Sequence, residues 1–73
     1  MMTIKILIAD DHPVVRSGLV ALLNSQPEFE VVAEAENGKT AVSLSQTIPL
    51  DVILMDLQMP VLDGLAAIQQ IRA

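Results

Sequence analysis

Three aspartates carry the chemistry this sequence could perform. Asp10 and Asp11 stand side by side after the apolar run Ile4 to Ala9, and Asp56 ends a second apolar run, Val52 to Met55. Carboxylates held a few ångströms apart repel one another, so such a group either takes up protons or holds a cation. A hard, oxygen-seeking ion suits them. Magnesium is the natural choice, because it keeps several waters while accepting one or two carboxylates and a phosphate oxygen. A carboxylate beside Mg2+ can attack phosphorus and form an acyl phosphate, with the metal offsetting charge on the transferred group. Position alone permits this chemistry and equally permits a blander one, in which Asp10 and Asp11 only end a strand and cap the next helix.

The acids meet only if the elements around them form a parallel sheet. Ile4 to Ala9 is interrupted only by Lys5, which suits a strand buried on both faces. Pro13 fits the first turn of a helix, and Val15, Leu19, Leu22 and Leu23 follow at helical spacing, predicting a helix from Pro13 to about Ser25. Gln26-Pro27 ends it, and Glu30 to Ala35 reads as a second strand whose glutamates suit a sheet edge. Asn37-Gly38 is a turn into a second helix presenting Ala41, Val42, Leu44 and Ile48, which Pro49 closes. Val52 to Met55 is the third strand. After a Met59-Pro60 turn, Asp63 is the expected N-cap of a third helix with Leu65, Ile68 and Ile71 on one face.

The order β-α-β-α-β-α with right-handed crossovers predicts an α/β fold, a doubly wound parallel sheet. In strand order 2-1-3 the first and third strands are neighbours, so Asp10, Asp11 and Asp56 project from one carboxyl edge. That edge, at the topological switch point, is where open α/β sheets bind ligands. The same order puts the first helix alone on one face, the other two helices on the opposite face, and the apolar third strand at an edge. An unpaired apolar edge seeks a partner, so self-association or a domain swap is expected.

Composition removes several classes of function. The 73 residues carry 4 Lys and Arg against 9 Asp and Glu, a net charge of −5, with no cysteine and a single histidine. Disulfide scaffolds and zinc fingers are therefore excluded. Without a cluster of cations the chain has no electrostatic footprint for DNA or for anionic lipid. No stretch approaches the roughly 20 apolar residues of a membrane span or the core of a signal peptide, so a cytoplasmic location is expected. With 52% hydrophobic residues the chain is not a disordered segment. At this length folding buries only roughly 60% of the unfolded surface, so stability is marginal.

Other candidates weigh less. His12 invites a catalytic or pH-sensing role, but a lone histidine at a helix start reads more simply as a positional residue near the site mouth. Met55 and Met59 read as packing and turn residues. Gly38 and Gly64 belong to no GxGxxG or GxxxxGK[ST] motif, which removes nucleotide binding.

The segments ILIADDHPVVRSGL, VVAEAENGKTAV and DVILMDLQMPVLDGLAAIQQIR together resemble the receiver domain of two-component response regulators. The acidic pair, the Asp after the third strand, and the Met-Pro and Asp-Gly beyond it make a specific combination. The DDHP wording looks most like transcriptional regulators of the NarL or LuxR type, which carry a C-terminal helix-turn-helix domain. The resemblance implies a flavodoxin-like, CheY-like fold, with Asp56 as phosphoacceptor and Mg2+ held by Asp11, Asp56 and the backbone carbonyl of Gln58, Asp10 acting through water. It also implies a phosphohistidine of a sensor kinase, or a small acyl phosphate, as donor, and a phosphorylation that shifts a conformational equilibrium.

The departures are specific. A complete receiver resembles five βα units, and residues 1–73 correspond to the first three, a partial receiver domain without a second domain. The switch Ser or Thr that ends the fourth strand and the Lys that ends the fifth are not in this chain, and neither Lys5 nor Lys39 can stand in for that Lys. Two other readings stay open at this point. One is a receiver-like scaffold that pairs with other chains without being phosphorylated. The other is an aspartyl-nucleophile phosphatase, disfavoured because that chemistry wants Asp-x-Asp where this chain has adjacent acids.

Overall fold

A computed structural model describes residues 3–56 and 64–72. The elements run β1 (Ile4–Ala9), α1 (Pro13–Asn24), β2 (Phe29–Ala35), α2 (Gly38–Thr47), β3 (Val52–Met55) and α3 (Gly64–Arg72). The three strands are parallel in the order β2-β1-β3, which is the topology expected from the sequence. Two boundaries differ slightly. The first helix stops at Asn24, with the N–H of its cap Ser25 donating to the Ala21 carbonyl and that of Gln26 to the Leu23 carbonyl. The second strand starts at Phe29 because Phe29 already stands opposite Ile4 in the ladder. Between Ile6 and Leu7 the register with β2 slips by one residue, from Val31 to Ala33, so Val32 forms a bulge.

Alternation along β1 builds two cores. Leu7 and Ala9 face α2 and cluster with Ala35 and Ala41, with Ala33, Leu44, Leu50, Ile53 and Met55 packed around them. Ile6 and Ile8 point the other way, toward α1, and are equally buried. The burial of β1 is thus two-sided over Ile6 to Ala9 only, since Ile4 and Lys5 are exposed. Full burial of Leu7 and Ile8 contributes about 1.5–3 kcal/mol each.

On α1 the expected face is rotated. Val15 and Leu22 are 49% and 62% exposed, and the partly buried positions are Arg16, Leu19, Val20 and Leu23. The helix lies over β2 and β1 rather than over the whole sheet, so its contact stripe turns toward β2. Its expected cover of that face is therefore incomplete. Leu19 and Leu54 line an open cleft of about 500 Å3 with Ile8, Ala9 and Met55, and its rim carries Asp10 and Asp56. Val52 and Leu54 of β3 remain 40% and 39% exposed, as an edge strand with an apolar sequence requires.

The second helix starts where the sequence indicates. Asn37 is its N-cap, with its side-chain oxygen accepting the Thr40 N–H at 2.8 Å, so the Asn-Gly pair opens a helix rather than a hairpin. On α3, Ala67 is fully buried and Ile68 and Ile71 are half-buried, beside Ile53 and Met55. The Met59-Pro60 turn, the Asp63 cap, Gln58 and the side chain of Leu65 lie outside the described residues. Among the described residues no helix is long and apolar enough to cross a membrane.

Candidate functional site

The sheet ladder delivers the acids to one place. Ala9 stands opposite Ala35 on one side and opposite Met55 on the other. One residue further on, the Asp10 N–H donates to the Ala35 carbonyl at 3.0 Å and the Asp56 N–H to the Ala9 carbonyl at 2.9 Å. Each aspartate is thereby the first residue past its strand and is still held by the neighbouring strand. Because β1 is the shared centre, Asp10, Asp11 and Asp56 converge at the carboxyl edge, as the strand order requires.

Asp10, Asp11, His12 and Asp56 each offer one ligand atom, and these four atoms lie within 4.8 Å of one another. The carboxylates are 13%, 29% and 26% exposed for Asp10, Asp11 and Asp56, a partly desolvated setting in which like charges repel strongly. The Nδ1 of His12 is the atom common to the group. It lies 2.8 Å from Oδ1 of Asp10, 3.0 Å from Oδ1 of Asp11 and 3.8 Å from Oδ2 of Asp56.

A ring nitrogen carries at most one proton, and the hydrogen bond it makes is to Asp10. Oδ1 of Asp11 is buried and accepts no hydrogen bond from the described residues. A buried carboxylate oxygen without a donor is the feature that a cation ligand presents before its ion is counted. The donor set therefore fits a divalent ion.

Asp10 does more than ligate. Its Oδ1 accepts the His12 backbone N–H at 2.8 Å, an Asx-type turn that carries the chain from β1 into α1. That backbone donor, followed by the His12 ring and Arg16, holds the Asp10 carboxyl below its usual range against the opposing effect of burial. The His12 imidazole is pushed above its ordinary value, first by the hydrogen bond to Asp10 and then by the charge of Asp11.

His12 is thus more than the positional residue read from the sequence, because it stands within 4 Å of all three acids. As N-cap of α1 it makes no side-chain cap hydrogen bond, so Asp10 and not the helix end engages its ring. Arg16 was not singled out from the sequence at all. Its Nη1 donates to the Asp10 carbonyl at 2.7 Å and its Nε to Glu34 Oε1 at 3.2 Å, tying the end of β1 to β2. The available signal was its place one turn after His12, on a helix whose first turn holds no acid. Lys5 lies at the other end of β1, where its backbone N–H meets Asp51 Oδ2, consistent with its exclusion from the site. Gln58, expected to offer its carbonyl, lies outside the described residues.

Comparison with known proteins gives this geometry a family. The family described as response regulator receiver domain matches residues 6–73. Transcriptional regulatory protein YdfI of Bacillus subtilis is 52% identical over 68 residues, covering 93% of this chain and 32% of that protein. A protein-glutamate methylesterase/protein-glutamine glutaminase of Photobacterium profundum is 43% identical over 70 residues, covering 96% of this chain and 18% of that protein. The chain therefore spans a third or less of the length of these curated relatives. The solved signal receiver domain of NarL from Mycobacterium tuberculosis superposes with a TM-score of 0.95 at 33% identity, covering 99% of this chain and 58% of that one. With its βαβαβα order, its central β1 and its carboxyl-edge acids, the chain belongs to the response regulator receiver domains of two-component systems.

Proposed function

We propose that this chain is a phosphoacceptor module that takes a phosphoryl group on Asp56 with Mg2+ bound beside it. The observation that carries this reading is the convergence of Asp10, Asp11 and Asp56 at one sheet edge, with Oδ1 of Asp11 buried and undonated among the described residues. Asp11, Asp56 and the Gln58 carbonyl would hold the ion directly, and Asp10 through a water. When bound, Mg2+ supplies charge that offsets the negative oxygens of the transferred group.

An oxygen of Asp56 attacks the phosphorus of the donor, a phosphohistidine on a sensor kinase or a small acyl phosphate. The new P–O bond forms as the donor's P–N or P–O bond breaks, and the leaving imidazole or carboxylate departs with the electron pair. Asp10 and its Asx turn hold the mouth of the site, and the ladder bond from Asp56 N–H to Ala9 fixes the nucleophile's backbone. On this reading the chain modifies only its own aspartate and is not an enzyme acting on other molecules. The transcriptional relatives support an output at promoters in the cytoplasm, delivered by a DNA-binding part outside these 73 residues.

Incubation with acetyl phosphate and Mg2+, read by intact-mass spectrometry, tests the assignment. The wild-type chain is expected to gain one phosphoryl group at low, short-lived occupancy, because the Lys and the Ser or Thr of a full receiver site are outside it. The Asp56→Ala variant is expected to gain none. Equal adducts on both proteins, or none on the wild type or on a longer chain containing it, overturn the assignment.

The exposed apolar edge at Val52 and Leu54 favours a further reading, that this chain self-associates or exchanges elements with a second copy. In that form it is an interaction scaffold whether or not Asp56 is phosphorylated.

A further inference from the structure

We infer that Arg16 is a positioning residue for the metal site: its guanidinium holds the Asp10 carbonyl, fixes the backbone leading into Asp11, and so sets how well the Asp11 carboxylate is aimed at Mg2+. The inference rests on the reading of Asp11 as a direct Mg2+ ligand. The ladder between β1 and β2 ends with the Asp10 N–H donating to the Ala35 carbonyl at 3.0 Å. Beyond it the chain turns into α1, and Arg16 grips both neighbours of Asp11. Its Nη1 donates to the Asp10 carbonyl at 2.7 Å, and its backbone N–H donates to the His12 carbonyl at 2.9 Å. The second is a helical bond that any residue but proline makes at this position. The first needs the side chain.

Arg16 is itself anchored. Its side chain is 19% exposed, and its Nε donates at 3.2 Å to Oε1 of Glu34, which stands opposite Ile8 on β2. One rigid guanidinium plane thus meets two acceptors, a geometry that a lysine ammonium, a point donor on a flexible stem, does not fix. The charge of Arg16 acts on the site in the opposite sense from its bond. That charge reaches Asp10, where it helps to hold the carboxyl below its usual range. A cation there opposes the entry of a second cation, so loss of charge alone would tighten Mg2+ binding, whereas loss of positioning weakens it.

The sign of the change is therefore the test. Mg2+ titrations compare the wild type with Arg16→Met, Arg16→Lys and Asn24→Ala, each followed by NMR on the Asp11 backbone amide. Asn24 is the control, because its Oδ1 accepts the Val31 N–H at 2.9 Å and ties the other end of α1 to β2. Its removal loosens the same two elements away from the acids. The Mg2+ Kd is expected to rise about three- to fivefold in both Arg16 variants, less than for loss of a group bonded to the ligand itself, because Arg16 acts through the backbone. In Asn24→Ala it is expected to stay within about twofold of wild type. Arg16→Lys keeps the charge and carries the test should Arg16→Met fail to fold. Tighter or unchanged binding by Arg16→Met, wild-type affinity in Arg16→Lys, or an equal weakening in Asn24→Ala overturns the inference. With Mg2+ bound by the wild type, any of these results removes only the role of Arg16. A wild type that binds no Mg2+ overturns the metal reading and this inference together.

Discussion

The Asp56 N–H reaches the Ala9 carbonyl at 2.9 Å, so the end of β3 is pinned to the residue that immediately precedes the acidic pair. This single ladder bond makes Asp56 a neighbour of Asp10 and Asp11 although about 45 positions separate them in the chain. Strand order does the rest, since only a sheet with β1 at its centre places both strand ends side by side.

Metal binding should be visible as stability. An ion that binds only the folded chain adds RT ln(1 + [Mg2+]/Kd), about 1.4 kcal/mol at ten times Kd. Thermal melts of the wild type should therefore shift upward with Mg2+. Asp11→Asn is expected to lose that shift and to be at least as stable as the wild type in the absence of metal, because one of three repelling charges is gone. An Asp11→Asn melt that still rises with Mg2+ would remove Asp11 from the ligand set.

Arg16, partly buried on α1, is expected to matter for both stability and the site. Replacing it by Met keeps the aliphatic stem and deletes the bonds to the Asp10 carbonyl and to Glu34. The loss should be about 1 kcal/mol in denaturant unfolding, most of it from the Asp10 bond because Glu34 is half-exposed. Mg2+ affinity should weaken a few-fold as the turn carrying Asp10 loosens. A variant equal to wild type in both measurements would show the Arg16 contacts to be incidental.

The His12 and Asp10 pair predicts a pH dependence of defined sign. With the imidazole pushed upward by Asp10 and Asp11, the His12 ring protons should titrate in metal-free protein above the ordinary histidine value of 6.5. Asp10→Asn should bring the midpoint back toward 6.5. The raised histidine stabilises the fold fully below its unfolded value, and that contribution disappears as pH climbs through the folded value. The lowered Asp10 acts in the opposite window, stabilising above its unfolded 3.8 and losing that contribution as pH falls through its folded value. An NMR titration with a His12 midpoint unchanged by Asp10→Asn would contradict the pairing.

Self-association should depend on β3. Leu54→Glu places a charge on the exposed side of that strand, toward the cleft shared with Leu19. Sedimentation is expected to show the wild type forming dimers or larger species with rising concentration and the variant shifted toward monomer. A wild type that stays monomeric throughout would dispose of the self-association reading.

Much of the fold was readable because its signals are local. The apolar runs at Ile4 to Ala9 and Val52 to Met55, the Pro13 helix start and the Asn37 cap are each written in a few adjacent residues. The candidate site was readable to the extent that each acid directly follows a strand. The facing of α1 was not. Val15 and Leu22 satisfy helical periodicity as well as Leu19 and Leu23 do, and only the placement of the helix over β2 decides between them. Arg16 and His12 were undervalued for a related reason. Asp10 and Asp11 adjoin His12 in the chain, but Glu34 on β2 and Asp56 beyond β3 become neighbours of Arg16 and His12 only after the sheet has formed.

By itself, then, the sequence determined the element order, the parallel sheet and the identity of the acids, because strands, helix starts and strand-end aspartates are set by short-range patterns. Tertiary structure decided that His12 Nδ1 sits among all three carboxylates, that Oδ1 of Asp11 is buried without a donor among the described residues, and that α1 leaves Leu54 uncovered. Those are relations between groups brought together by strand pairing and by the sideways position of a helix. No local pattern encodes a distance across a sheet edge, so they exist only in the folded chain.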